Sequence, residues 1–166
     1  MTSVLNGYNL TGDDPVQIEP RSPPHRCAEL EDFNLKEELP MSTLSKAAPD
    51  VLQRYYRILA AGIDAFDPDG ELRTLLIDDL EFEGPIAGKR TGAAGFCQGV
   101  KGFIATVSDL EIIQEVHGAD GSAILYDARM PAGFVRLAEF FRFDNGKIST
   151  LRIHYDPADY VRQGGR

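Results

Sequence analysis

Between Val107 and Tyr155 the apolar residues recur at every second position, and short breaks divide the stretch into four segments. These are Val107 to Val116, Ser122 to Met130, Phe134 to Phe143 and Ile148 to Tyr155. A period of two puts alternate side chains on opposite faces of an extended chain, whereas a helix repeats every 3.6 residues. The breaks, Gly118-Ala-Asp-Gly121, Pro131-Ala-Gly133 and Asp144-Asn-Gly146, consist largely of turn-forming residues. They are too short for a crossover helix, so the pattern predicts four strands in an antiparallel meander.

Upstream the period is helical. In Asp50 to Asp64, Val51, Tyr55, Ile58, Leu59 and Gly62 share one face while Arg54 and Arg57 fall on another. Pro49 and Asp50 suit the start of this helix, where a missing backbone donor costs nothing and a carboxylate meets the positive end of the dipole. Phe66 to Gly70 reads as a turn and Glu71 to Leu76 as a second, short helix. Asp79 to Glu83 alternates and stops at Gly84-Pro85, giving a first strand. A turn at Gly88 to Gly92 then leads into a third helix, Ala93 to Phe103. The order, two helices, a strand, a helix and four strands, predicts an α+β domain with about three helices gathered on one face of a curved, mainly antiparallel sheet.

The chain has 166 residues, about one domain, and its polarity is unevenly spread. Residues 1–40 hold eight acidic residues against three basic ones, and five of the ten prolines. Such a stretch buries too little apolar surface to offset its ordering entropy, so 1–40 reads as an N-terminal extension and 41–166 as the folded domain, with Met41 a possible alternative start. A net charge of -9 argues against nucleic-acid binding, which needs a concentrated cationic face. No apolar run approaches the roughly 18 to 20 residues that span a bilayer. Cys27 and Cys97 are too few for a disulfide framework, and no spacing of Cys and His suggests a metal site. The expectation is a cytoplasmic protein without metal or cofactor.

Three phrases, in this order, extend the reading. They are Val51-Leu-Gln-Arg-Tyr55, Leu76-Ile-Asp-Asp-Leu-Glu-Phe-Glu-Gly-Pro-Ile-Ala-Gly88 and Phe140-Phe-Arg-Phe-Asp-Asn-Gly-Lys-Ile148. With the closing Ile153-His-Tyr-Asp-Pro157, the stretch from Ala48 to Tyr160 resembles the nuclear transport factor 2 (NTF2) superfamily. That group includes ketosteroid isomerases, limonene epoxide hydrolases and SnoaL-like polyketide cyclases. The resemblance implies a cone-shaped NTF2-like fold, a pocket between the helices and the concave face of the sheet, and a homodimer formed through the convex face. Because this superfamily hosts many unrelated chemistries, the residues must carry the functional argument.

Glu139 stands out on the residues alone. Alternation puts it on one face with Val135, Leu137, Phe141 and Phe143. A carboxyl on an apolar face is desolvated, which raises its pKa and suits it to act as an acid or donor. Pairing with Arg129, Arg136 or a tyrosine would instead make it structural. The resemblance implies that Glu139 occupies the position of an enolate-stabilising acid, and Tyr55 that of a tyrosine donating to the substrate oxygen. It also implies a proton-abstracting Asp just before Pro85, where this chain has Gly84; Glu83 should point to the other face.

Asp127 and Arg129 share one face of their strand. Turned inward, they would join Glu139 as an anchor and water activator of the epoxide-hydrolase kind. Turned outward, they would form a convex-face ion pair, with Ile124, Tyr126 and Ala128 inside. The expected substrate-binding residues are Leu137, Phe141, Leu151, Ile153 and Tyr155, and parity then turns His154 outward. His117, at a turn, reads as a surface residue. Together these readings favour a cofactor-independent enzyme acting on an apolar oxygenated small molecule of polyketide, terpenoid or steroid type. The chemistry would be acid/base isomerisation, cyclisation or epoxide opening. The alternative is a noncatalytic binding or dimerisation domain.

Overall fold

A computed structural model describes residues 44–166; the extension 1–40, Cys27 and Met41 lie outside the described residues. Helix α1 spans Asp50–Ala60 and buries Val51, Leu52, Tyr55, Tyr56 and Leu59 along one stripe. It follows Pro49 and ends before Gly62, whose φ of 81° takes the chain out of helical geometry. A 3-10 turn at Ile63–Ala65 and helix α2, Glu71–Thr74, lead into strand β1, Leu76–Gly84. The second helix is thus shorter than its pattern suggests, because Leu76 pairs with Ile148 and already belongs to the sheet. Gly88–Thr91, expected as a turn, is strand β2, hydrogen-bonded antiparallel to β1. Four exposed residues carry no alternation to betray a strand. Helix α3 follows at Ala93–Ile104.

The meander comprises β3, Asp109–Gly118, β4, Gly121–Met130, β5, Gly133–Asp144, and β6, Lys147–His154. Its last hairpin turns on Asn145 and Gly146, both at positive φ (48° and 76°), the conformation that an Asn-Gly pair adopts in a tight two-residue turn. A short helix α4, Pro157–Arg162, which the sequence pattern does not announce, closes the chain. Asp156 caps it, its carboxylate accepting from the Ala158 and Asp159 amides at 2.8 and 3.2 Å.

The six strands lie in the order β2-β1-β6-β5-β4-β3. Every neighbouring pair is antiparallel except β1 with β6, which is parallel. Register shifts interrupt β1 between Leu76 and Glu81, β3 between Ile112 and Gln114, and the β5–β6 pair at Arg142 and Phe143. An extra residue on one strand bends it and increases its twist, so these irregularities curve the sheet. One core joins Leu52, Tyr55 and Leu59 of α1, Phe96, Val100 and Ile104 of α3, and Tyr126, Leu137, Phe141 and Leu151 of the sheet. No helix among the described residues is long and apolar enough to cross a membrane.

Candidate functional site

The curved sheet, α1 and α3 line a cavity of about 210 Å³, with Tyr160 of α4 at its wall. Its walls are mostly apolar, and the strands supply Leu137, Leu151, Ile153 and Tyr155, four of the five residues expected to bind substrate. The fifth, Phe141, is a correction. It shares their face of the sheet, but its ring packs edge-on against Tyr55 with centroids 5.5 Å apart and does not line the cavity. Alternation identifies its face; the helix packed over that face decides whether a residue meets ligand or protein.

Glu139 is 2% exposed and lies in the cavity wall. Tyr55 donates to its Oε1 at 3.1 Å and Tyr56 to its Oε2 at 2.6 Å. Adjacent tyrosines reach one carboxyl because successive residues on a helix sit about 100° apart, and both edges of the buried stripe of α1 face β5. Burial drives the Glu139 pKa from the ordinary 4.5 up to about 7, against the opposing effect of the two tyrosine bonds. The nearby Tyr126 phenol also eases the carboxylate's charge. Its hydroxyl, however, meets no acceptor at the distance and angle a hydrogen bond requires. All three phenols have pKa values well above 10, chiefly through burial, so they remain protonated donors.

Removing either tyrosine hydroxyl therefore should raise the Glu139 pKa above 7. Tyr56→Phe, which deletes the shorter bond, should raise it more than Tyr55→Phe. A carbon-13 titration of the glutamate carboxyl in each variant checks the order. A midpoint unchanged in both would show that the hydroxyls do not stabilise the charge.

Asp127 and Arg129 do not join this group. Ile124, Tyr126 and Ala128 are the inward residues of β4, and the pair lies on the opposite face. Asp127 accepts two bonds from Arg136 of β5, both at 2.8 Å, because register places these residues directly across from each other. The Arg129 guanidinium lies 4.5 Å from the centroid of the Phe134 ring. Neither residue can hold a water beside Glu139, so the structure corrects their assignment as an auxiliary catalytic pair.

At the position implied for the proton-abstracting Asp, Gly84 is part of the cavity wall. A Cβ there would stand 2.8 Å from Ile153 Cγ2, so β6 leaves no space for a side chain. Glu83 is exposed and faces Arg152, with an N–O separation of 3.5 Å. His154 is exposed, edge-on to Phe140, while His117 is half-buried and contacts Ser122 Oγ at 2.9 Å and Glu115 at 3.2 Å. Tyr56 and Tyr126 belong to the site although no sequence motif marks them. The signals that point to them are the helical adjacency of Tyr56 to Tyr55 and the parity of Tyr126 with Ile124. Arg166 also lines the cavity, beyond the reach of either kind of pattern. No cluster of His, Cys, Asp and Glu suited to a metal ion occurs among the described residues.

No family model matches the chain, and no curated protein matches it. Solved structures do. A steroid delta-isomerase from Pseudomonas aeruginosa is 20% identical with a TM-score of 0.58, the match covering 74% of this chain and 88% of that one. A proposed isomerase from Rhodopseudomonas palustris is 27% identical with a TM-score of 0.55, covering 68% and 94%. An NTF2-like protein of unknown function from Burkholderia xenovorans is 16% identical with a TM-score of 0.54, covering 70% and 91%. With its helices packed on one face of a curved six-stranded sheet, the chain has an NTF2-like fold.

Proposed function

We propose that the protein is a cofactor-independent enzyme that moves a proton on an apolar, oxygenated small molecule, with Glu139 as its acid/base group. The observation that carries this reading is the Glu139 carboxyl, buried in an apolar cavity with a pKa of about 7. A proton-transfer group works best when its pKa lies near the operating pH, because both forms are then populated. A carboxylate offers about four lone-pair directions. Tyr55 and Tyr56 occupy two of them as positioning residues and leave capacity for a substrate proton. In the simplest sequence, Glu139 removes a proton from the carbon beside a carbonyl. The C–H electrons move onto oxygen as an enolate, and Glu139 then returns the proton at the same carbon or at its vinylogous partner.

With Asp127 and Arg129 outside the cavity, this favours isomerisation or cyclisation over epoxide opening. The substrate class remains polyketide-, terpenoid- or steroid-like, and a cytoplasmic setting suits the free, buried Cys97. A homodimer through the convex sheet face would cover Phe134 and Phe140, both exposed there. The noncatalytic alternative draws its support from the Tyr55 and Tyr56 bonds, the tyrosine pairing that satisfies a buried Glu139 without chemistry, and from Gly84, which leaves Glu139 without the second acid of the isomerases.

Deuterium exchange at the carbon beside the carbonyl of α-tetralone separates the readings. The enzyme should accelerate exchange with a midpoint near pH 7, and Glu139→Gln should lower the rate on the order of a hundredfold or more. An unaccelerated rate, or one indifferent to Glu139→Gln, would instead leave a binding domain.

A further inference from the structure

Among the described residues, Glu139 and Arg166 are the only charged side chains that line the cavity, and they mark its inner and outer ends. Glu139 is buried, whereas Arg166 is exposed and stands with the exposed Ile86 at the opening. The end of α4 builds the position of Arg166. The Gly164 amide donates to the Val161 carbonyl at 3.1 Å, and the Gly165 amide to that of Tyr160 at 2.9 Å. With Gly164 at a φ of 100°, this pair of bonds is the usual glycine ending of a helix, and it turns the chain back on itself. Gly165 then lies flat against the Tyr160 ring, where a Cβ would stand 2.2 Å from Cε1. Tyr160 is itself part of the cavity wall, so the ending delivers Arg166 beside it. Although the chain has a net charge of -9, no carboxylate of the described residues lies within ion-pair distance of Arg166.

Resting on the reading of the cavity as a ligand site, we infer that Arg166 is a specificity-determining residue that recognises a carboxylate at the outer end of the ligand. The substrate is then an apolar molecule with one anionic end. That charge belongs at the opening, because a carboxylate deeper in would meet Glu139 in an apolar, poorly solvated space. A guanidinium holds a carboxylate through two parallel N–H···O bonds, which fixes orientation as well as charge. A phosphate, with about two charges at neutral pH, would call for a second cation, and none lines the cavity among the described residues. Held at the opening by its acidic end, such a ligand presents its other end to Glu139.

The test compares α-tetralone with its derivative carboxylated on the aromatic ring para to the carbonyl, by titration calorimetry on the full chain. At about pH 6 the ligand carboxyl is ionised and Glu139 is largely protonated. Wild-type protein should bind the carboxylated compound about three- to tenfold more tightly, the size of one partly exposed, charge-assisted contact. The preference should shrink in about 0.5 M NaCl, because salt screens exposed charges. Arg166→Gln, a change at an exposed position, should bring the two affinities together. Equal affinities in the wild-type protein, a preference indifferent to salt, or one that survives Arg166→Gln overturns the inference while the cavity reading stands. If neither compound binds the wild-type protein, the cavity reading falls as well.

Discussion

From pH 5 to pH 7 the wild-type protein should lose stability on the order of 2 kcal/mol, and Glu139→Gln should remove most of that slope. The sign follows from proton counting. Below pH 4.5 Glu139 is protonated in both the folded and unfolded states. Above it the unfolded chain releases the proton, while the folded protein holds it until about pH 7. Within that window the folded state binds more protons, so raising the pH favours unfolding; above it the loss is complete. Because Glu139 is fully buried, solvent does not screen the effect. The whole stability of such a domain is about 5–15 kcal/mol, so the slope should be plain in denaturant titrations at pH 5, 6, 7 and 8. Glu115 works in the opposite direction at lower pH. Its amide bond from Ser45 and its contact with His117 outweigh burial and hold its pKa below the ordinary value, so its contribution is lost on acidification. Wild-type stability should therefore peak near pH 5, and the Glu139→Gln curve should stay level towards neutrality. Parallel curves for the two proteins would show that the carboxyl is not desolvated.

The second large effect belongs to the hairpin that joins β3 to β4. A Cβ at Gly121 would stand 2.1 Å from the backbone oxygen of Phe141 and 3.3 Å from its carbonyl carbon. Backbone cannot rotate aside as a side-chain tip does, so Gly121→Ala must push β5 away or open the hairpin. Overpacking of this kind costs about 1–3 kcal/mol, and a backbone clash belongs at the upper end of that range. Gly118, paired with Gly121 across the same hairpin, provides the control. A Cβ at Gly118 would lie 3.8 Å from the Gly121 oxygen, an ordinary contact. Gly118→Ala should therefore unfold near the wild-type denaturant midpoint, and Gly121→Ala far below it. The neighbouring β4–β5 pair sets Ile124 across from Glu139 and Tyr126 across from Leu137. Any Gly121→Ala protein that still folds should thus bind cavity ligands more weakly.

Much of this molecule follows from side-chain alternation and turn chemistry, which act over a few residues. The four strands of the meander, the Asn145-Gly146 turn, the buried stripe of α1 and the inward face of β5 are all of that kind. Local pattern also puts Glu139 among apolar neighbours, because Val135, Leu137 and Phe141 share its parity. It does not reveal β2, whose four residues are exposed and held only by pairing with β1. Nor does it orient β4, since both faces of that strand carry apolar side chains: Ile124 and Tyr126 on one, Ala123 and Leu125 on the other.

The fold class and, β2 apart, the strand boundaries to within a few residues are legible in the amino-acid sequence. Those properties depend on contacts between near neighbours, which periodicity records. Which acid has partners, and which donor has none, is settled only by the assembled fold. Packing of α1 over the sheet gives Glu139 two tyrosines and takes Phe141 out of the cavity wall. Register between β4 and β5 binds Asp127 to Arg136 on the far face and leaves the Tyr126 hydroxyl unpaired. Hydrogen bonding and desolvation act over a few ångströms between residues as many as 84 positions apart, and no local pattern encodes such distances.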